Sequence, residues 1–173
     1  MQTLLQQALS DWEGKKVDKL KRIYQQQQDQ PSFVEEILSL LKSEANQKAA
    51  SWLLKYHLEQ GNLLTDGQII TMTNSLEKVY NWESRLHLLQ ILPLVDIPKE
   101  AQLAVEDFVR ESLSSDNKFV RTWALQGMYE LSRQRPELQR EVYFLCEKAM
   151  QTEAASVKAR VRKILAQLEK KDK

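Results

Sequence analysis

Small and apolar residues recur along the chain at the spacing of an α-helix, and each time they follow a basic residue. Counting from Arg121, positions +3, +6 and +10 are Ala124, Gly127 and Leu131, which fall on one stripe of a helix. The same frame begins at three further basic residues, Lys48, Arg85 and Lys158. The intervals between the four starting residues are 37, 36 and 37 residues. A nearly constant period in this range predicts a chain built from repeated structural units.

Each frame is preceded by a second amphipathic pattern, for example SFVEEILSLLK before Lys48 and AQLAVEDFVRESL before Arg121. Each unit therefore reads as a helix, a short turn and a second helix. The sequence predicts an all-α fold, with a single domain over residues 1–173 that contains about five helical hairpins. The hairpins are expected near residues 1–29, 31–60, 66–96, 99–134 and 136–170. The first hairpin departs most from the pattern, as expected of an end cap.

Helix start signals fall between the units. Ser32 with Glu35, and Thr65 with Gln68, have the spacing of a capping box, in which each side chain accepts a hydrogen bond from the other residue's backbone. Pro98 and Pro136 stand where first helical turns should begin. Well over half of the residues should be helical, with no β-sheet and with breaks near 29–32, 60–66, 96–99 and 133–137. Eight frame residues are expected in the core: Leu54, Leu58, Leu88, Ile91, Ala124, Leu131, Val161 and Ile164.

The segment DNKFVRTWALQGMYEL resembles the second helix of a HEAT repeat: an Asp in the turn, a Val-Arg pair, a small residue and an apolar stripe. The likeness is good over residues 99–134 and fair over 136–170, and it weakens over 31–60 and 66–96, which lack the turn Asp. The resemblance to HEAT-like (armadillo-type) proteins implies a right-handed α-α superhelix, or solenoid. First helices would lie on its convex side and second helices would line its concave side. The alternative is a compact helical bundle with accidental periodicity.

Composition limits the partners. The 25 basic and 24 acidic residues give a net charge of +1, which provides no global attraction to nucleic acid or to an anionic membrane. No stretch approaches the roughly 20 apolar residues of a membrane span. The N-terminus lacks a basic leader followed by an apolar run, so we expect a cytoplasmic protein. The one cysteine, Cys146, lies on an apolar helical stripe and is interpreted as a buried core thiol.

Catalytic and metal-binding motifs are not found in the sequence, which predicts neither an enzyme nor a cofactor. The two histidines, His57 and His87, fall in different repeats and are interpreted as structural or surface residues. The basic residues that open the frames form a ladder, which we name the basic ladder: Lys48, Arg85, Arg121 and Lys158. Its structural interpretation pairs Arg121 with the turn Asp116, as the HEAT resemblance implies, and pairs Lys158 with Glu153.

The alternative interpretation of the basic ladder is nucleic-acid binding. One HEAT-like group, the alkylpurine DNA glycosylases, uses aromatic, Asp and Arg residues in a basic concave cleft. Three tryptophans interleave with the ladder here, at Trp52, Trp82 and Trp123. No motif of that group transfers residue by residue to this chain, so a DNA-alkylation-repair-like or nucleic-acid-binding module is the second hypothesis.

The first hypothesis is a non-catalytic scaffold that binds a partner protein or peptide on the concave face. Counting from Val120 and its equivalents, positions +2, +6 and +9 lie opposite the core stripe, because a helix turns 100° per residue. If second helices line the concave face, these positions form one strip, in which tyrosines are suited to protein contact. The predicted partner-binding residues are Leu53, Tyr56, Leu86, Gln90, Gln126, Tyr129 and Lys163. The other interpretation of the strip is a solvated face, or one covered by a chain end.

Overall fold

The computed structural model describes residues 1–171, of which the last has no described side chain. Helix accounts for 76% of the structure and the described residues contain no strand, which confirms the all-α prediction. Ten α-helices lie within residues 1–171: α1 Leu4–Ser10, α2 Val17–Gln27, α3 Phe33–Leu40, α4 Glu44–Glu59, α5 Asp66–Thr73, α6 Trp82–Ile91, α7 Gln102–Ser112, α8 Lys118–Gln134, α9 Gln139–Thr152 and α10 Ala155–Lys171. Four short 3-10 turns accompany them within that range: Leu76–Lys78, Leu92–Leu94, Lys99–Ala101 and Pro136–Leu138.

Successive helices pack against each other in pairs over most of the chain. Helix α1 contacts α2, α3 contacts α4, α7 contacts α8, and α9 contacts α10. The second helices also contact one another in chain order, α4 with α6, α6 with α8 and α8 with α10. We call these four helices the second-helix layer. The arrangement accounts for the period of the sequence, because the frame residues of each second helix are buried at equivalent positions.

The unit at residues 66–96 is the least regular. The pattern over residues 68–80 predicts one continuous helix, but α5 ends at Thr73 and a 3-10 turn follows at Leu76–Lys78. Helix α5 makes its main contacts with α3 and with the turn Lys99–Ala101. Helix α6 ends at Ile91, because Pro93 has no backbone N–H to continue the helical ladder.

One continuous apolar core runs through the hairpins. All eight frame residues predicted to lie in it are buried, which confirms the register of the four second helices. Helix α8 is the most enclosed, since it contacts α6, α7, α9 and α10. Eleven of its residues are buried, among them polar Thr122, Gln126 and Glu130.

The helix start signals are partly confirmed. Thr65 and Gln68 form the capping box: the Gln68 backbone N–H donates to Thr65 Oγ1 at 3.2 Å, and the Thr65 backbone N–H donates to Gln68 Oε1 at 2.9 Å. Ser32 makes no side-chain capping bond, so that prediction is wrong; its hydroxyl donates instead to the Glu36 carboxylate at 2.7 Å. Pro98 is the N-cap of the 3-10 turn Lys99–Ala101, and Pro136 begins the 3-10 turn Pro136–Leu138; these turns lead into α7 and α9.

The four predicted breaks all fall between helical segments of the structure. Within residues 1–171, no helix combines the length and the apolar character needed to cross a bilayer. Cys146 is fully buried on α9, as predicted, and burial raises the pKa of its thiol to about 11. The thiol is therefore protonated at neutral pH.

Candidate functional site

The predicted partner-binding residues are spread over the second-helix layer and differ widely in exposure. Tyr56, Leu86 and Gln90 are half-buried, and Lys163 is exposed on α10. Leu53 is 0% exposed and packs in the core, which corrects its assignment to a binding surface. The remaining two residues are buried on α8: Gln126 and Tyr129, 4% and 6% exposed.

A groove between α8 and α10, which we name the C-terminal groove, brings together three of the predicted residues: Gln126, Tyr129 and Lys163. Its volume is about 550 Å³, within the size range of ligand-binding clefts. Nine residues line it: Pro93, Trp123, Gln126, Tyr129, Glu130, Arg133, Arg160, Lys163 and Gln167. Tyr56, Leu86 and Gln90 lie outside this set, so the predicted strip is divided between two parts of the layer.

A hydrogen-bonded network builds the buried wall of the C-terminal groove. The Glu130 carboxylate, on a residue 8% exposed, accepts hydrogen bonds from the Gln126 amide at 2.8 Å and from the Arg133 guanidinium at 2.9 Å. The bond to Glu130 raises the pKa of Arg133. Burial, followed by the nearby Glu130 charge, raises the pKa of the Tyr129 hydroxyl. Glu130 is therefore satisfied within the chain, and Arg133 is largely neutralised by it.

Helix α10 supplies the other wall with two further cations. The Arg160 guanidinium lies 4.3 Å from the centroid of the Trp123 ring, a distance suited to a cation–π contact. The ion pairs of residues 1–171 include neither Arg160 nor Lys163. With Glu130 offset by Arg133, the lining of the groove carries a net charge of +2.

Sequence reasoning missed Trp123, Glu130 and Arg160 as members of the groove, although a signal for them exists. Counted from Val120 on α8 and from Val157 on α10, positions +3, +6 and +10 line the groove on both helices, and +9 and +13 also line it on α8. The predicted strip used +2, +6 and +9, which differs by one residue at two of the three positions. An ideal helical wheel places +2, +6 and +9 opposite the core stripe and places +3, +6 and +10 at the side of the helix, where α8 faces α10.

A second, smaller groove of about 370 Å³ lies at the other end of the layer, and we name it the N-terminal groove. Its lining includes Trp12, Lys48, Trp52, Glu83 and His87. Lys48 pairs with Glu83 at 2.8 Å, so these two charges offset each other. The N-terminal groove is therefore closer to neutral than the C-terminal groove.

An aromatic cluster adjoins the N-terminal groove and fixes Tyr56. The Trp52 and Tyr56 rings stack with centroids 4.8 Å apart, and Tyr24 meets Tyr56 edge to face at 5.0 Å. The buried Tyr24 hydroxyl lies 3.1 Å from His57 Nδ1. Tyr56 is therefore a packed residue that shows one side to solvent, and its loss would disturb α2 as well as α4.

The basic ladder connects neighbouring hairpins. Lys48 pairs with Glu83 on α6, while Arg85 donates to the Ser112 hydroxyl at 2.9 Å and lies 3.5 Å from Glu111 at the end of α7. The structural interpretation therefore holds for these two positions.

Arg121 shows a different pairing from the predicted one. It contacts Asp116 through the backbone carbonyl at 3.1 Å, not through the carboxylate. Its guanidinium binds the Glu153 carboxylate at both oxygens, at 2.7 and 3.0 Å. The predicted pair between Glu153 and Lys158 is thus wrong, because Glu153 at the end of α9 is already held by Arg121. Lys158 is half-buried on α10.

Both histidines are enclosed, as the structural interpretation predicts. His57 is 8% exposed, and burial lowers the pKa of its imidazole. His87 Nδ1 lies 2.9 Å from the Ser51 hydroxyl, and burial, together with Lys55 and Lys48, lowers the pKa of His87 to about 4. No group of three or more His, Cys, Asp or Glu side chains within residues 1–171 is arranged to hold a metal ion.

Stability should therefore fall as the pH drops from 6.5 towards 4. In this window the unfolded chain protonates histidine at its ordinary pKa of about 6.5, whereas folded His87 stays neutral down to about 4. We expect the free energy of unfolding to fall by about 1–2 kcal/mol between pH 7 and pH 5 through His87. Urea unfolding at the two pH values measures the change.

The matched variant for this prediction is His87→Asn, which keeps a polar group beside Ser51 but cannot titrate. Its pH dependence above pH 4.5 should be clearly shallower than that of the wild type. Hydrogen bonds from arginines lower the pKa of Glu106, Glu141 and Glu153, so these carboxylates lose stability as the pH approaches their unfolded pKa of about 4.5; the loss is the same in both proteins, and the difference between the two slopes reports His87. Equal slopes for wild type and His87→Asn would contradict the assignment.

Comparison of the chain with family models, with curated proteins and with solved structures gives no match.

Proposed function

We propose that this chain is a non-catalytic protein-interaction scaffold that binds a partner protein or peptide on the surface of its second-helix layer. The observation that carries the proposal is the C-terminal groove, in which two aromatic rings, a buried polar network and two cations outside the ion pairs of residues 1–171 adjoin one cleft. Aromatic and arginine side chains are the types most enriched at the energetic centres of protein interfaces.

The proposal includes an architecture. The five hairpins form a right-handed HEAT-like solenoid, the second-helix layer lines its concave face, and the protein works in the cytoplasm without a cofactor. The contacts of α4 with α6, α6 with α8 and α8 with α10 support this arrangement. A solenoid exposes a long continuous surface, which suits it to binding an extended partner.

The nucleic-acid hypothesis loses much of its support from the basic ladder. Lys48, Arg85 and Arg121 each form contacts between hairpins, so their charges are already used within the chain. Within the C-terminal groove, the cations that remain for a phosphate backbone are Arg160 and Lys163, whereas a protein that makes 6–10 phosphate contacts needs a larger basic surface.

A bulky side chain in the C-terminal groove should weaken the binding of peptides strongly. Gln167 is exposed on α10 and lines the C-terminal groove, so Gln167→Trp places an indole in the cleft without disturbing the core. Random 12-residue peptides displayed on phage would be selected on the wild-type chain and remeasured by fluorescence polarisation. We expect the selected peptides to bind Gln167→Trp at least tenfold more weakly, which is about 1.4 kcal/mol.

The matched control is Arg162→Trp, on the same helix but outside the lining of the groove. It should leave the affinity within about twofold of the wild type, and both variants should keep the wild-type melting temperature. Binding that survives Gln167→Trp, or that is lost equally in both variants, would remove the C-terminal groove as the interaction site.

A further inference from the structure

The charge of the C-terminal groove constrains what can occupy it. Its buried wall is internally balanced, since Glu130 accepts from both Gln126 and Arg133. Arg160 and Lys163 on the opposite wall are absent from the ion pairs of residues 1–171. A groove with two unmatched cations beside aromatic rings is complementary to a ligand with both negative charge and an apolar side chain.

The Arg160 side chain is ordered before such a ligand binds. Its guanidinium Cζ lies over the Trp123 ring, 4.3 Å from the ring centroid, and this contact restricts the side chain. A planar guanidinium fixed in this way can bind a carboxylate through two parallel hydrogen bonds. Less conformational entropy is lost on binding because the side chain is already ordered.

We propose that the occupant of the C-terminal groove is an acidic peptide segment, which rests on the proposed function. One carboxylate pairs with Arg160, a second pairs with Lys163, and an adjacent aliphatic or aromatic side chain packs against Trp123 and Tyr129. Three or four residues of an extended peptide fill the groove, because its volume of about 550 Å³ corresponds to a few side chains.

The observations favour a peptide over a nucleic acid for two reasons. The lining carries a net charge of only +2 beside the rings of Trp123 and Tyr129, so it offers few contacts to a phosphate backbone but an apolar surface to a peptide side chain. The net charge of the whole chain is only +1, so a polyanion gains little attraction beyond the groove itself. A short acidic peptide needs no more than the two cations of the groove lining, Arg160 and Lys163.

The test compares two neighbouring charge reversals on one helix. Lys163→Glu changes a groove-lining residue, and Arg162→Glu changes the preceding residue, which is exposed and does not line the groove. The probes are the peptides selected from the random 12-residue library on the wild-type chain, synthesised with amidated C-termini. We expect the selected sequences to be enriched in Asp and Glu next to a large apolar residue.

Lys163→Glu should weaken the binding of these peptides at least tenfold, and Arg162→Glu should change it less than threefold. Substituting Asn and Gln for the acidic residues of the best peptide should weaken its binding to the wild type at least tenfold. An amidated peptide has no C-terminal carboxylate, so binding of these peptides means that Arg160 and Lys163 recognise side-chain carboxylates. Binding that requires a free C-terminus would overturn this assignment.

The outcomes separate this inference from the proposed function. The selected peptides could be neutral or basic, bind Lys163→Glu as tightly as the wild type, and fail to bind Gln167→Trp. That result would overturn the acidic partner and leave the C-terminal groove as the interaction site. If the peptides also bind Gln167→Trp as tightly as the wild type, or if the library yields no binding peptide, both the acidic partner and the proposed function are overturned. Binding of duplex DNA or RNA that weakens steeply with salt and is lost in Lys163→Glu would replace the peptide by a nucleic acid.

Discussion

Replacing Ala124 by aspartate is expected to destabilise the protein by about 3–5 kcal/mol, the range for an unpaired charge in a protein interior. Ala124 is 0% exposed and lies in the middle of α8, which contacts α6, α7, α9 and α10. A carboxylate at this position would contact neither water nor a cationic side chain. A loss of this size is comparable to the whole free energy of unfolding of a marginal domain. Urea or thermal unfolding of the purified variant measures it.

The matched control is Ala159→Asp. Ala159 is exposed on α10, so the same chemical change at a helical position should cost no more than about 0.5 kcal/mol. Equal melting temperatures for the Ala124→Asp variant and the wild type would mean that α8 does not bury this face.

Replacing Gly127 by leucine is expected to cost about 2–4 kcal/mol, even though leucine favours helix over glycine by about 1 kcal/mol. A Cβ atom at Gly127 would lie 2.9 Å from Val109 Cγ2 and 3.1 Å from Leu92 Cδ1. Val109 is fully buried, and its branched side chain has little rotational freedom to yield. Glycine is therefore required at this position because α8 approaches α7 too closely for any side chain.

Gly67→Leu provides the comparison, because a Cβ at Gly67 on α5 would meet only Thr65 Oγ1, at 3.9 Å. That variant should be neutral or slightly stabilising, by up to about 1 kcal/mol. Calorimetric melting of the two variants gives the contrast. A Gly127→Leu variant as stable as Gly67→Leu would show that α7 and α8 can separate without loss.

The regular part of this fold could be predicted from the sequence because one physical constraint repeats. Each second helix must bury a stripe against its neighbours, so the stripe that begins at Arg121 recurs at nearly constant spacing. Burial of Ala124, Leu131 and Ile164 follows directly from that stripe. The capping box at Thr65 could also be predicted from the sequence, because its two hydrogen bonds join residues only three positions apart.

The remaining features depend on distances between helices, which no periodic pattern contains. Glu153 lies close in sequence to Lys158, yet it binds Arg121, which the packing of α9 brings within 2.7 Å. The predicted strip missed Arg160 because a shift of one position in helix rotation decides which side chain faces a groove. Tyr129 was expected to be exposed for the same reason, and its burial reflects the enclosure of α8 on several sides.

The enclosure of α8 also determines how amide hydrogens exchange with solvent. An amide in the middle of α8 can exchange only after the helix has separated from α6, α7, α9 and α10, which amounts to opening most of the domain. An amide in α1, whose main contact is α2, needs only local fraying at the chain end. Protection should therefore increase from the N-terminal hairpin towards residues 118–134, so that the helix with the groove's buried wall is also the slowest to exchange.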